Sequence, residues 1–248
     1  MEFIIFISMI VLAGLSKGGL GGNFALLCVP VLSSIMSPIE AVALMAPILV
    51  VMDLTGLYKF RKNIYWKELK VILPAGMLGV GAGAFMFSVI NENQLRIIIG
   101  IMGLVYLSRE FYKYIAKKSG HLMAQKFGYI FGFLSGVSSI LAHAGSPPLS
   151  IYILSRGMNK TQYHVTTIVF YTVINGFKIL PYLYLGLLNI NEGLWTLYAT
   201  PVAVSSMLMG AYLHHKIEGN IFFYITYVGL FVASVKVLFD GLGFHFFL

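Results

Sequence analysis

Two stretches concentrate the residues that could handle a charged ligand. The first, "GLSKGGLGGN" at residues 14–23, sets Lys17 among Gly18, Gly19, Gly21 and Gly22 and ends on Asn23, inside an otherwise apolar run from Phe3 to Met36. Glycines release the backbone from helical geometry, and the N–H groups at the start of the half-helix that follows become an anion site. Lys17 adds a full positive charge to it. The second, "LAHAGSPPLS" at residues 141–150, sets His143, Ala144, Gly145 and Ser146 before the Pro147–Pro148 pair. Proline frees carbonyls and glycine lets a ligand approach closely. A third group, His164, Thr167, Tyr171, Asn175, Lys178 and Tyr182, recurs at steps of three or four and therefore occupies one face of a helix. Hydrogen bonding between helices explains the Thr and Tyr residues of that face, whereas a lysine deep in an apolar helix has to face protein or water. The candidate anion site is thus Lys17, Gly18, Gly19, Gly21, Gly22, Asn23, His143, Ala144, Gly145, Ser146, Thr167, Asn175 and Lys178. Asp53, the only carboxylate well inside an apolar run, either couples to protons, with His143 as a second candidate, or neutralises a nearby lysine.

The elements that carry these residues are membrane helices. Of 248 residues, 58% are hydrophobic and only 10% charged, and mean hydropathy is +0.86. That leaves too little polar surface to coat a soluble globule. The apolar runs are long and do not alternate, which selects helices over barrel strands. A formal charge of +8 could suggest nucleic acid, but Lys and Arg lie in short clusters between spans and so assign orientation instead. The start, "MEFIIFISMIVLAG", has no basic region before its apolar run and is expected to stay in the mature chain. The single cysteine, Cys28, excludes an internal disulfide and a cysteine-based metal cluster.

A helix needs roughly 20 residues to cross the hydrocarbon core. Residues 38–59, 70–90, 94–115, 161–185, 194–214 and 220–240 each meet that length once. Residues 3–36 and 126–157 are too long for one span, too short for two, and interrupted by Gly or Pro. Each is either a tilted, broken helix or a re-entrant hairpin. Hairpins place Lys59, Arg61, Lys62, Lys67, Lys70, Lys113, Lys117, Lys118, Lys126, Arg156, Lys160 and Lys216 on one side, the better fit to the positive-inside rule. Lys236 can snorkel and reads as structural.

The chain also repeats itself. Gly14, Gly18 and Pro30 recur at one constant spacing as Gly132, Gly136 and Pro148. Pro74, Gly83, Ala84 and Ile90 recur at another as Pro201, Gly210, Ala211 and Ile217. The expected organisation is a first transmembrane repeat at 1–115, a basic cytoplasmic linker at 116–123 and a second repeat at 124–248. With one hairpin and three spans in each copy, the second must be inverted relative to the first. The fold class is therefore all-α and polytopic, with two inverted repeats whose broken helices meet, an architecture of transporters. The competing use of small residues is close helix packing, as at Gly14, Gly18 and Gly22 or at Gly128, Gly132 and Gly136.

"AGLSKGGLGGNFALLCVPVL", "VVMDLTGLYKFRKNIYWKELKVILP", "GFLSGVSSILAHAGSPPLSIYIL" and "TTIVFYTVINGFKILPYL" together resemble the sulfite exporter TauE/SafE family over essentially the whole chain. The resemblance implies transport of sulfite, sulfoacetate or another organosulfonate across the bacterial cytoplasmic membrane. One departure is Ser146, where a second glycine is common in similar proteins and this chain has a hydroxyl.

The rival classes are an intramembrane hydrolase or acyltransferase built on Ser135, Ser138, Ser139 and His143, and a passive anion channel. "GFLSG" has one residue too many for a Gly-x-Ser-Gly turn, and metal-ligand spacing is absent. No catalytic residue, cofactor or metal is expected. The expected partners are a small anion and the lipid bilayer, with a homodimer admissible and nucleic acid not expected.

Overall fold

The computed structural model describes residues 2–20, 26–60, 64–116, 123–158, 160–188, 190–213 and 220–244. They form helices and short turns, with no strand among the described residues. In chain order these are α1 (Glu2–Leu15), a π-helical turn (Ser16–Leu20), α2 (Cys28–Ser33), α3 (Pro38–Phe60), α4 (Trp66–Val89), α5 (Glu92–Ala116), α6 (Phe127–Ala142), α7 (Ser146–Ser155), α8 (Lys160–Tyr184), α9 (Ile190–Leu213) and α10 (Asn220–Gly241). The six expected spans are therefore α3, α4, α5, α8, α9 and α10, and the two broken segments are α1–α2 and α6–α7. Pro38–Lys59, Trp66–Val89 and Leu194–Leu213 are both long and apolar enough to cross a bilayer on composition alone. Helices α5, α8 and α10 have comparable length and turn Val105, Phe111, Leu180, Leu183, Phe231 and Val232 outward. With backbone bonds satisfied inside helices and large apolar side chains on the outside, the chain is a multi-pass membrane protein.

Hydrogen bonds fix where each broken segment opens. At the C-terminal end of α7, Arg156 donates through Nη1 to the Met123 carbonyl and through Nε to Glu68 Oε1 at 3.1 Å. The Tyr152 hydroxyl donates to the same Glu68 carboxylate, and Gln125 Nε2 donates to the Lys67 carbonyl at 3.1 Å. The end of α7, the approach to α6 and the start of α4 are therefore neighbours, so residues 126–157 double back as a hairpin. In the other segment α2 lies along α1, with Cys28 Sγ 3.4 Å from the Met9 carbonyl. Arg96 Nη1 caps the Ser33 carbonyl at 2.9 Å, Lys236 Nζ caps Ser34 at 2.9 Å, and Ser37 Oγ donates to Glu92 Oε1 at 2.7 Å. Cations suit the exposed carbonyls of a helix C-terminus. This second set gathers the end of α2, the start of α3, the start of α5 and the end of α10. Helix α3 runs from this end to the end where α4 begins and α6–α7 opens.

Each broken segment packs on a helix from the other half of the chain: α6 on α4 and α1 with its π turn on α9. Both contacts need glycine. A Cβ on Gly136 would lie 2.0 Å from the Gly76 carbonyl oxygen, and one on Gly18 would lie 2.2 Å from the Met207 carbonyl oxygen. Helix α3 packs on both α8 and α9, α8 also packs on α4, and α5 pairs with α10. The basic linker expected at 116–123 falls mostly outside the described residues; α5 continues to Ala116.

Candidate functional site

Between the two breaks lies a cavity of about 40 Å³. One water needs roughly 10–15 Å³, so the space suits a few water-sized groups. The π turn contributes Lys17, α3 contributes Leu49 and Asp53, and α6 with its break contributes Ser139, His143 and Ser146. Helix α8 supplies Tyr163, His164, Thr167, Ile168, Tyr171 and Asn175. Six of the candidate site residues thus meet at one place, Lys17, Asp53, His143, Ser146, Thr167 and Asn175, together with His164 and Tyr171 of the same polar face.

Their charges are arranged as a pair with an amide. Lys17 Nζ donates to Asp53 Oδ1, and Asn175 Nδ2 donates to Asp53 Oδ2 at 2.5 Å. The two charged side chains keep only 12% and 4% of their exposure. Of the two roles open to Asp53, neutralising a lysine is visible directly. Lys17 Nζ also stands 5.8 Å from the centre of the Tyr171 ring, within cation–π range. The π turn widens the helix just where Lys17 has to leave α1 and face α3, a common use of such turns.

The break between α6 and α7 is held by Lys178. His143 caps α6 with φ +50°, a left-handed conformation uncommon for a residue with a side chain. Its Nε2 lies 2.8 Å from the Val42 carbonyl and its Nδ1 lies 2.7 Å from Lys178 Nζ. A carbonyl can only accept, so Nε2 carries the proton and Nδ1 accepts from the ammonium. Lys178 Nζ also donates to the Ser139 carbonyl at 3.0 Å and to Ser139 Oγ at 3.1 Å. All three ammonium hydrogens have protein acceptors. Lys178 is fully buried and is not part of the cavity wall; it stands behind His143. One turn on, the Tyr182 hydroxyl donates to the Ile140 carbonyl at 2.5 Å. The polar face of α8 therefore divides into a part that lines the cavity and a part that anchors α6.

The other candidates fall elsewhere. Gly18 is packed on α9, and a Cβ on Gly145 would lie 2.7 Å from the Ser135 carbonyl oxygen, so neither glycine faces open space. Ala144 is buried and its N–H donates to the Ser138 carbonyl at 3.1 Å. Gly19 belongs to the π turn; Gly21, Gly22 and Asn23 lie outside the described residues. The start of α7 offers few backbone donors to an anion. Pro147 and Pro148 occupy its first turn and have no N–H, and Leu149 N–H is taken by the Gly145 carbonyl at 3.4 Å. Ser146 is what α7 presents to the cavity. Tyr163 and the wall position of Ser139 were not singled out from the sequence as anion contacts. Tyr163 lies one turn before Thr167, a signal that extending the polar face by one step would have caught.

Residues 6–237 match the model of the family described as Sulfite exporter TauE/SafE. No curated protein and no solved structure matches the chain.

Proposed function

The chain belongs to the sulfite exporter TauE/SafE family, and from that membership we propose that it moves sulfite or a small organosulfonate across the bacterial cytoplasmic membrane by alternating access. The observation that carries the reading is the cavity between the two helix breaks, where Lys17, Asn175, Thr167 and Ser146 converge. Lys17 supplies the positive charge of the cavity wall, with Asp53 beside it as its partner. The ammonium and the Asn175 amide suit an oxyanion, with Ser146 at the wall, while the Thr167 hydroxyl donates to the Tyr163 carbonyl at 2.8 Å. The Lys17 ammonium is the charge that attracts the anion, and the small volume sets its size.

Two inverted repeats are part of the proposal, and three features support them. The broken segments open at opposite ends of α3. Each packs on the fourth helix of the other half, α1 on α9 and α6 on α4. Asp53 of α3 meets Asn175 of α8 where those two corresponding helices pack. The end bearing Lys67, Lys70, Lys126 and Arg156 would face the cytoplasm.

Hydrolysis is the weaker reading, because no serine engages His143 as a base would require. Both His143 nitrogens are committed to Val42 and Lys178, and Ser135 Oγ donates to the Gly145 carbonyl at 2.8 Å. The deciding experiment is counterflow in liposomes with a panel of sulfite, sulfate, small sulfonates and carboxylates. Labelled sulfite or sulfonate should accumulate transiently against unlabelled anion inside. Chemical conversion without net movement would refute transport, and flux without counterflow would point to a channel.

A further inference from the structure

Lys17 and Asn175 already hold an oxyanion, and it belongs to the protein. The Asp53 carboxylate receives the Lys17 ammonium on one oxygen and the Asn175 amide on the other. All three residues line the cavity. We infer that Asp53 is a tethered stand-in for the transported anion: it occupies the Lys17 and Asn175 donors in the empty carrier and yields them when the substrate enters. The inference rests on the anion site proposed above and adds what that site does when no anion is present.

Three physical points lead there. First, the pair is nearly cut off from water, with the two side chains 12% and 4% exposed. Lys178 meets its burial with three neutral acceptors, whereas the contacts of Lys17 are the Asp53 carboxylate and the Tyr171 ring face, so the empty site leans on Asp53 to satisfy the ammonium. Second, a substrate anion in this cavity would lie beside a carboxylate of the same sign, at a range where repulsion is strong in a low dielectric. The arrangement relaxes when Lys17 and Asn175 turn from Asp53 to the substrate. Third, the two donors and their acceptor come from three separate elements: Lys17 from the π turn after α1, Asn175 from helix α8 and Asp53 from helix α3. Changing the acceptor therefore changes how the first break is tied to α3 and α8. Lys178 cannot take over the role of Lys17, since its three hydrogens are committed to Ser139 and His143. Tyr171 offers Lys17 only a ring face.

A carrier of this kind behaves differently in exchange and in net transport. During exchange, anion is bound in both half-cycles and Asp53 is not needed as a partner for Lys17. During net transport the carrier must return empty, and among the described residues Asp53 is the carboxylate placed to neutralise Lys17 on that step. The test is Asp53→Asn, which keeps the shape and removes the charge. Purified protein should bind labelled sulfite, kept anaerobic, about ten- to a hundredfold more tightly, the range of one charge-assisted hydrogen bond freed from competition. In liposomes, sulfite–sulfite exchange should persist while net sulfite flux falls at least about tenfold. If Asp53→Asn lowers the melting temperature, added sulfite should restore more of it than it adds to the parent, because ligand stabilisation grows with affinity.

The companion variant is Lys17→Met in the Asp53→Asn background, which removes Lys17 without leaving a lone buried carboxylate. It should lose the gained affinity. Equal or weaker sulfite binding by Asp53→Asn, with further loss in the double variant, overturns the stand-in role and leaves the anion site intact. A double variant that binds as tightly as Asp53→Asn alone, or a parent that binds no sulfite, removes the anion site itself and the inference with it.

Discussion

Lys178→Met separates a residue that holds the site together from one that touches the anion. Three hydrogen bonds end on the Lys178 ammonium, and bonds to a charged donor contribute about 1.5–3 kcal/mol each. Methionine fills much of the same volume and escapes the several kcal/mol needed to bury an ammonium. The Ser139 carbonyl keeps a second donor, the His143 N–H at 3.0 Å, so the acceptor left empty is chiefly His143 Nδ1, worth roughly 1–3 kcal/mol. The balance is a destabilisation of about 2–4 kcal/mol, or a fall of roughly 5–15 °C in melting temperature for a chain of this length. Part of the loss comes from His143, whose left-handed backbone is then held by one ring hydrogen bond instead of two. Measured on the fraction still folded, sulfite affinity should change less than about tenfold, because Lys178 stands behind the cavity wall. Thermal melting in detergent and equilibrium binding at low temperature read the two quantities separately. A variant that melts with the parent but loses sulfite binding by tenfold or more would show that Lys178 reaches the anion, and the division of α8 into wall and anchor would be wrong.

The helix contacts and the orientation give two further outcomes. Gly136→Val should prevent stable folding, since even its Cβ would meet the Gly76 carbonyl at 2.0 Å, whereas Gly176→Ala, with nothing within 4 Å, should be neutral or stabilise by about 0.5–1 kcal/mol; detergent melting curves check both. Cysteine at the exposed Ala124 should react with an impermeant thiol reagent from the cytoplasmic side and cysteine at the exposed Asn93 from the opposite side, against a low background because native Cys28 is buried. Labelling of both from one side would contradict the crossing of α5 between them.

Span number and position were legible in the sequence because length and apolarity are local properties: 38–59 became Pro38–Phe60 and 161–185 became Lys160–Tyr184. The breaks were legible for the same reason, since Gly and Pro act on their own neighbourhood. The loss of amide donors at the start of α7 was legible too, given that proline has no N–H. What spacing could not supply was position along the helix axis relative to a neighbour. Thr167 and Lys178 share a face, but the cavity runs along α8 only from Tyr163 to Asn175 and leaves Lys178 behind it. Where α6 crosses α8 decides that Thr167 meets the cavity and Lys178 meets Ser139 and His143. That crossing depends on the close approach of α6 to α4, which is set by carbonyl-to-glycine contacts between segments far apart in the chain.

The same reasoning explains why Lys17 and Asp53 looked like independent features and are not. They are 36 residues apart, on opposite sides of a helix break, and no periodicity links a residue before a break to one beyond it. They come together because α3 packs on α8, on α9 and on the π turn together. Helix α9 in turn holds α1 and the π turn through the Gly18 contact, so the position of Lys17 relative to Asp53 is set by a helix from the other half of the chain. A shift of α1 and α9 together against α3 and α8 would therefore pull Lys17 away from Asp53 without breaking the glycine contact. In the proposed carrier, an anion that took the place of the carboxylate would make that shift less costly, which would tie occupancy of the cavity to movement of the first broken segment.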